Sequence, residues 1–197
     1  IKTGRAAIGT SILTVNSMGM HLVTQQDFFN YYPKKSVDIF RKLDMISYLA
    51  KALSIMGDAF CRTGDYKNLR IIIDEAEPIS KEFDDILIQA KISYFKAQYY
   101  LNKNDFNLAI SNIDQSIELF NLAEHSRFET QVLIDKLNII IECGNIDDVA
   151  SIISKIEYLI NKLKGTYSNF LFTAAKLYLN SKKGIVNIDE LHSLHES

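Results

Sequence analysis

Apolar residues along this chain recur three and four positions apart. Leu69, Ile73 and Ala76 step by four and then three, as do Ala109, Ile113 and Ser116 and then Val149, Ile153 and Ile156. That spacing is one face of an α-helix. The periodic segments are separated by short breaks, the clearest of them Thr63-Gly64-Asp65. A glycine able to take positive φ ends one helix there, and an aspartate able to cap the next follows it directly. The break returns as Asn104-Asp105-Phe106, Gly144-Asn145-Ile146 and Gly184-Ile185-Val186, each 40 residues after the last. Self-similarity at a constant period of this size predicts stacked helical hairpins, each unable to bury its apolar face alone. The predicted fold class is all-α.

The pattern divides the chain into five antiparallel hairpins at approximately 3–43, 44–81, 84–122, 124–163 and 167–197, read as one domain over 1–197. The first hairpin opens with a helix over 3–23. Its second helix has Asp27 as cap, and it either starts at Pro33 or kinks there, because proline lacks an N–H and clashes one turn back. The second hairpin pairs 44–63 with 66–81, where Pro78 falls in the last turn. The third pairs 84–103 with 105–122, and the fourth 124–143 with 146–163. Asp84-Asp85 and Asp147-Asp148 suit the positive ends of helix dipoles. Across the repeats Gly57, Ala97, Leu137 and Leu177 form one column, and Phe60, Tyr100, Ile140 and Asn180 another. Ile73, Ile113 and Ile153 are expected to be fully buried.

Composition narrows the function classes. Lys plus Arg number 22 against 24 Asp plus Glu, a net charge of −2, which gives no bulk attraction to nucleic acid or to acidic membranes. No apolar run approaches the ~18 residues of a membrane helix. Cys61 and Cys143 sit two repeats apart, so two reduced thiols in a cytoplasmic protein are expected. No signal peptide is read in the sequence, and because the opening Ile1-Lys2-Thr3-Gly4-Arg5 lacks an initiator Met, a fragment cut from a larger protein is expected.

The small residues Gly57 and Ala97, the aromatics Phe60 and Tyr100 three later, the Gly-Asp-Tyr and Asn-Asp-Phe turns and the small Ala76 and Ala109 resemble the tetratricopeptide repeat (TPR). The resemblance is strongest over 44–122. The period of 40 exceeds the family's usual length of about 34, and long repeats of this kind are similar to those of bacterial transcriptional and signalling regulators. Lys96, Lys136 and Lys176 stand where the family buries a leucine, so their stems are expected to lie along apolar surface. The resemblance implies a right-handed α-α superhelix of four to five hairpins, a TPR-like solenoid, with the first helix of each lining a concave groove. Lys51, Ser54, Asp58, Arg62, Lys91, Tyr94, Gln98, Asn102, Gln131, Ile134, Asn138, Glu142, Ala174, Tyr178 and Lys182 would then point inward. Gln98 and Asn138 fall in one column. Side-chain amides can donate to and accept from a peptide main chain, and Tyr94 and Tyr178 add stacking or a hydroxyl. The Lys, Arg and Asn set with which some family members clamp a terminal carboxylate is not matched, since Asp58, Ile134 and Tyr178 intrude.

Catalytic chemistry finds little support. Gly4 to Ser11 has the glycine spacing of a phosphate-binding loop, but Thr10 stands where its lysine belongs and no strand precedes it. His192 and His195 share a terminal turn with only Glu196 near as a third metal ligand. His21 and His125 have no nucleophile or acid at a telling spacing. The expectation is therefore no enzyme, no cofactor and no metal. The chain reads as a protein- or peptide-binding module of a cytoplasmic regulator. It is expected to contact neither nucleic acid nor membrane. The alternative is a structural or oligomerising domain that forms a homodimer.

Overall fold

A computed structural model describes the backbone at 25–143, 149–163 and 166–183. All regular structure among the described residues is helical. The helices are α1 (Gln25–Lys42), α2 (Ile46–Thr63), α3 (Tyr66–Glu82), α4 (Ile86–Asn102), α5 (Phe106–Leu122), α6 (Ser126–Cys143), α7 (Val149–Leu163) and α8 (Thr166–Lys182). The fold class is all-α, with helices packing in chain order as a helical repeat does. Two compact units divide between Gln115 and Ser116, within α5. In the first, α1 packs on α2, α2 on α3 and α3 on α4, and α2 also meets α4. In the second, α6 packs on both α7 and α8, and α7 also touches α8. The helix expected over 3–23 lies outside the described residues, as do the turns at Gly144 and Gly184, Asp147-Asp148 and the His192–His195 pair.

The joints recur twice as often as the sequence reading recognised. Asp44, Gly64, Asp84, Asn104 and Glu124 all have left-handed φ, from 50° to 70°, and stand 20 residues apart. At each joint the helix ends in the same way. Gly64 N–H bonds the Cys61 carbonyl and Asp65 N–H the Phe60 carbonyl; Asn104 bonds Leu101 and Asp105 bonds Tyr100. The same pair of bonds closes the turns at 44, 84 and 124. This pairing of six-to-one and five-to-two bonds satisfies carbonyls that the helix leaves open. Left-handed φ costs an L-residue about 1–2 kcal/mol unless a short polar side chain eases it. Asp44, Asp84 and Asn104 have such a side chain, and Glu124 does not.

The residue after each left-handed position starts the next helix. Asp65, Asp85 and Asp105 carboxylates accept the N–H of Asn68, Ile88 and Leu108 at 3.1–3.2 Å. One aspartate thus closes a helix through its backbone and caps its successor through its side chain. Met45 makes no such cap. The His125 ring lies 4.6 Å from that of Phe128 and 6.3 Å from that of Phe120, and its buried Nδ1 has no hydrogen-bond partner.

Several expectations need correction. Helix α1 already begins at Gln25, so Asp27 is inside its first turn and the helix does not start at Pro33. Pro78 lies near the end of α3, where the sequence reading put it, and the helix runs one residue past the expected 81. The helix continues to Glu82 because Pro78 is exposed and water can reach the carbonyl that its missing N–H leaves open. Ile73 and Ile113 are buried at 1% and 0% exposure, whereas Ile153 is only half-buried. In α7 the buried positions are Val149, Ile152, Ile156, Leu159 and Ile160, a stripe rotated toward Ile152.

The core of the first unit gathers Phe40, Leu53, Leu69, Ile72, Ile73, Ile92 and Phe95. Each such side chain taken fully from water contributes about 1.5–3 kcal/mol. Gly57 lets α2 and α4 approach. A methyl there would sit 2.3 Å from Phe95 Cε2 and 2.7 Å from its Cζ. Phe95 is fully buried, so its ring has no free space to enter. Gly57→Ala is accordingly expected to cost about 1–3 kcal/mol despite alanine's better helix propensity. Urea denaturation checks this, and Phe95→Leu added to the variant should recover part of the loss.

Candidate partner-binding face

The first-helix residues proposed to face a partner lie on α2 and α4 in the first unit and on α6 and α8 in the second. Lys51, Asp58 and Arg62 share one side of α2 by spacing, and Lys91, Tyr94, Gln98 and Asn102 one side of α4. The structure brings the two sets together. Lys91 Nζ lies 2.6 Å from Asp58 Oδ2, with side-chain exposures of 12% and 25%. Two of the residues expected to meet a partner therefore already hold each other. Tyr94 is half-buried and packs on the core cluster, with its ring 6.3 Å from that of Phe95. Gln98 is half-buried, while Lys51, Arg62 and Asn102 are exposed. Lys51 Nζ stands 5.8 Å from the centre of the Tyr48 ring.

The second unit shows a similar link. The Tyr178 hydroxyl donates to Glu142 Oε1, joining α8 to α6. Asn138 is half-buried on α6. Gln131 donates to Asp135 at 3.3 Å, one turn along the same helix, and Ala174 is half-buried. The Lys182 side chain lies outside the described residues. Two assignments are corrected. Ser54, at 5% exposure, bonds the Lys51 carbonyl, and Ile134, at 2% exposure, is core. A hydroxyl that bonds its own helix can be buried on the apolar side, and isoleucine gains more from burial than from facing water.

Two members of the lysine column are ion-paired. Lys96 reaches Glu77 Oε2 at 2.7 Å, and Lys176 reaches Glu157. In both cases a first helix is tied to the second helix before it, and the two glutamates stand two repeats apart in sequence. Lys176 Nζ also lies 4.5 Å from the centre of the Phe172 ring, a cation–π distance. Glu77 holds Lys81 as well, at 2.8 Å. Its burial alone would push the carboxyl up, but the hydrogen bonds and charges of Lys81 and Lys96 outweigh this and keep it below the ordinary glutamate value of 4.5. A carboxylate held low when folded stabilises the fold above that ordinary value, and the contribution disappears as pH falls through the folded value. Glu77→Gln should therefore be less stable than the wild type at neutral pH. The gap between their urea midpoints should close as pH falls below 4.5.

One polar cluster escaped the sequence reading. Glu129 in the first turn of α6 is 2% exposed. Its Oε1 accepts Asn121 Nδ2 at 3.0 Å and meets Lys155 Nζ at 2.7 Å. A signal was present in the repeat column, where Gln89 stands one repeat earlier. Gln89 donates to the Ser80 carbonyl at 3.1 Å across the α3–α4 joint. Cys61 and Cys143 are not joined by a disulfide. No helix among the described residues is long and apolar enough to cross a membrane, and none of them form a group of three or more potential metal ligands. Compared with known proteins, the chain matches no protein-family model and no curated protein.

Proposed function

We propose that this chain is a non-catalytic, tetratricopeptide-like repeat module that binds a protein or peptide within a cytoplasmic regulatory or signalling protein. The observation that carries this reading is the Asp58–Lys91 contact, which sets the polar sides of α2 and α4 edge to edge. Lys51, Arg62, Tyr94, Gln98 and Asn102 then border one strip of surface in the first unit. Asn138, Glu142 and Tyr178 form a comparable set in the second. An amide such as Gln98 can satisfy both a C=O and an N–H of a bound main chain, and its loss leaves them unpaired at about 1–3 kcal/mol, or roughly ten- to hundredfold in affinity. Gln98→Ala and Asn138→Ala should each weaken capture of peptides selected from a random library on the wild-type chain, with thermal stability unchanged. Lys136→Ala, in the lysine column, should leave capture intact. Loss of binding in Lys136→Ala with both amide variants silent would overturn the reading.

Exposed apolar side chains favour a second reading, a structural or oligomerising domain. Ile71 on α3 is 55% exposed and Tyr158 on α7 67%, the kind of surface that a second copy covers. Light scattering separates the two: a tight dimer that binds none of the library supports the second.

A further inference from the structure

We propose that Lys155 is an acylation site, and that converting its amine to a neutral amide releases the α5–α6 joint of the second unit. That joint combines two shortfalls that the others do not combine. Its left-handed residue, Glu124 at φ 54°, lacks the short polar side chain that eases such a backbone. At 65, 85 and 105 an aspartate caps the next helix. Here His125 stands in that place, and its buried Nδ1 has no hydrogen-bond partner. The joint is held instead by a charge. Glu129, in the first turn of α6, accepts Asn121 Nδ2 at 3.0 Å and meets Lys155 Nζ at 2.7 Å. One carboxylate thus ties the end of α5 and the middle of α7 to the start of α6.

The tie is buried at one end and open at the other. The Glu129 side chain is 3% exposed and that of Lys155 41%, so a reagent reaches the amine and not the carboxylate. Lys91, Lys96 and Lys176 also bridge helices, but their carboxylates on Asp58, Glu77 and Glu157 are 25%, 28% and 47% exposed. Water can take over there when the lysine is lost, as it cannot at Glu129. A lysine in mid-helix offers no extended backbone for an enzyme to grip, so the fitting donor is a small acyl phosphate. Nζ leaves Glu129, gives one proton to water and attacks the donor's carbonyl carbon. An N–C bond forms, the C–O bond to phosphate breaks with its electron pair going to phosphate, and a second proton is lost. The product carries no charge, and its new carbonyl and methyl occupy the space through which Nζ approached Glu129. The buried carboxylate then keeps the bond from Asn121 and must draw in water, which a weakly held joint permits.

The test has two arms, both on the full chain. In the first, acetyl phosphate is added and mass spectrometry follows Lys155 and Lys162, an exposed lysine in the last turn of the same helix. Lys155 should be acetylated more slowly than Lys162, because its ion pair must open first. Glu129→Gln should speed the reaction at Lys155 and leave Lys162 unchanged. In the second, acetyllysine is installed during synthesis at position 155 or, as control, at 162, and hydrogen exchange is measured. Acetylation at 155 should raise exchange at the amides of residues 121–130 about ten- to hundredfold, with amides of the first unit unchanged. In the Glu129→Gln chain the same acetyl group should have little effect. Lys155 left unmodified while Lys162 reacts to completion overturns the proposal. So does unchanged exchange at 121–130, an equal rise from acetylation at 162, or a uniform rise along the chain. Should the chain acetylated at 155 lose its helices by circular dichroism, Glu129→Gln must restore them, and failure to do so also overturns it.

Discussion

Replacing Ile113 by alanine is expected to lower the unfolding free energy by about 2–5 kcal/mol, the range for truncating a fully buried aliphatic side chain whose surroundings relax only in part. Ile113 has no exposed surface. It lies four residues after the buried Ala109 and three before the buried Ser116, so the lost atoms come from the middle of the buried stripe of α5. The repeat-equivalent Ile153 is half-buried. Ile153→Ala should therefore cost about 1 kcal/mol or less, while the fully buried Ile156 should behave like Ile113. Chemical denaturation of the three variants under one set of conditions decides the matter. Equal losses at Ile113 and Ile153 would mean that α7 presents the face read from the repeat rather than the rotated one.

Lys155→Met is expected to cost about 1–3 kcal/mol, the range for leaving a buried acceptor short of a partner. The reason lies with the partner. The Glu129 side chain is 3% exposed and that of Lys155 41%, so the lysine can turn to water and the glutamate cannot. Without Lys155, that carboxylate keeps the bond from Asn121. The double variant Glu129→Leu/Lys155→Met should recover most of the loss, because it removes the buried charge together with its partner. Recovery measured by thermal melts shows that the single variant suffers from an uncompensated charge. A double variant as damaged as the single would show instead that the lysine stem supplies needed packing.

How much of this protein was legible in the sequence varies with how local the cause is. The turn at Gly64 was legible because a glycine that can adopt positive φ and an aspartate that can cap stand side by side. The same joint at Asp44, Asp84 and Glu124 was not recognised, although the backbone there closes with identical bonds. No glycine marks those positions, and the strain falls on residues that propensity does not single out. Ile73 and Ile113 followed from periodicity alone. Ile153 did not, because the buried side of α7 is set by the helices packed against it, and a modest rotation of the helix exchanges neighbouring positions.

The proposed binding face divides along the same line. Sequence spacing put Lys51, Asp58 and Arg62 on one side of their helix and Lys91, Tyr94, Gln98 and Asn102 on one side of theirs, since helical geometry is fixed by the backbone. It could not show that Asp58 and Lys91 hold each other, that Ser54 and Ile134 are buried, or that Glu129 is buried against Lys155. Those are contacts between helices distant in the chain, and they depend on how side chains of particular size fill the space between them. By itself the sequence determined the all-α class, the approximate helix bounds and the joints at Gly64 and Asn104, each governed by interactions within a few residues. Tertiary structure alone decided which of the polar residues hold one another, because a charge on a helix surface is satisfied by whichever neighbouring helix brings its counterpart within reach.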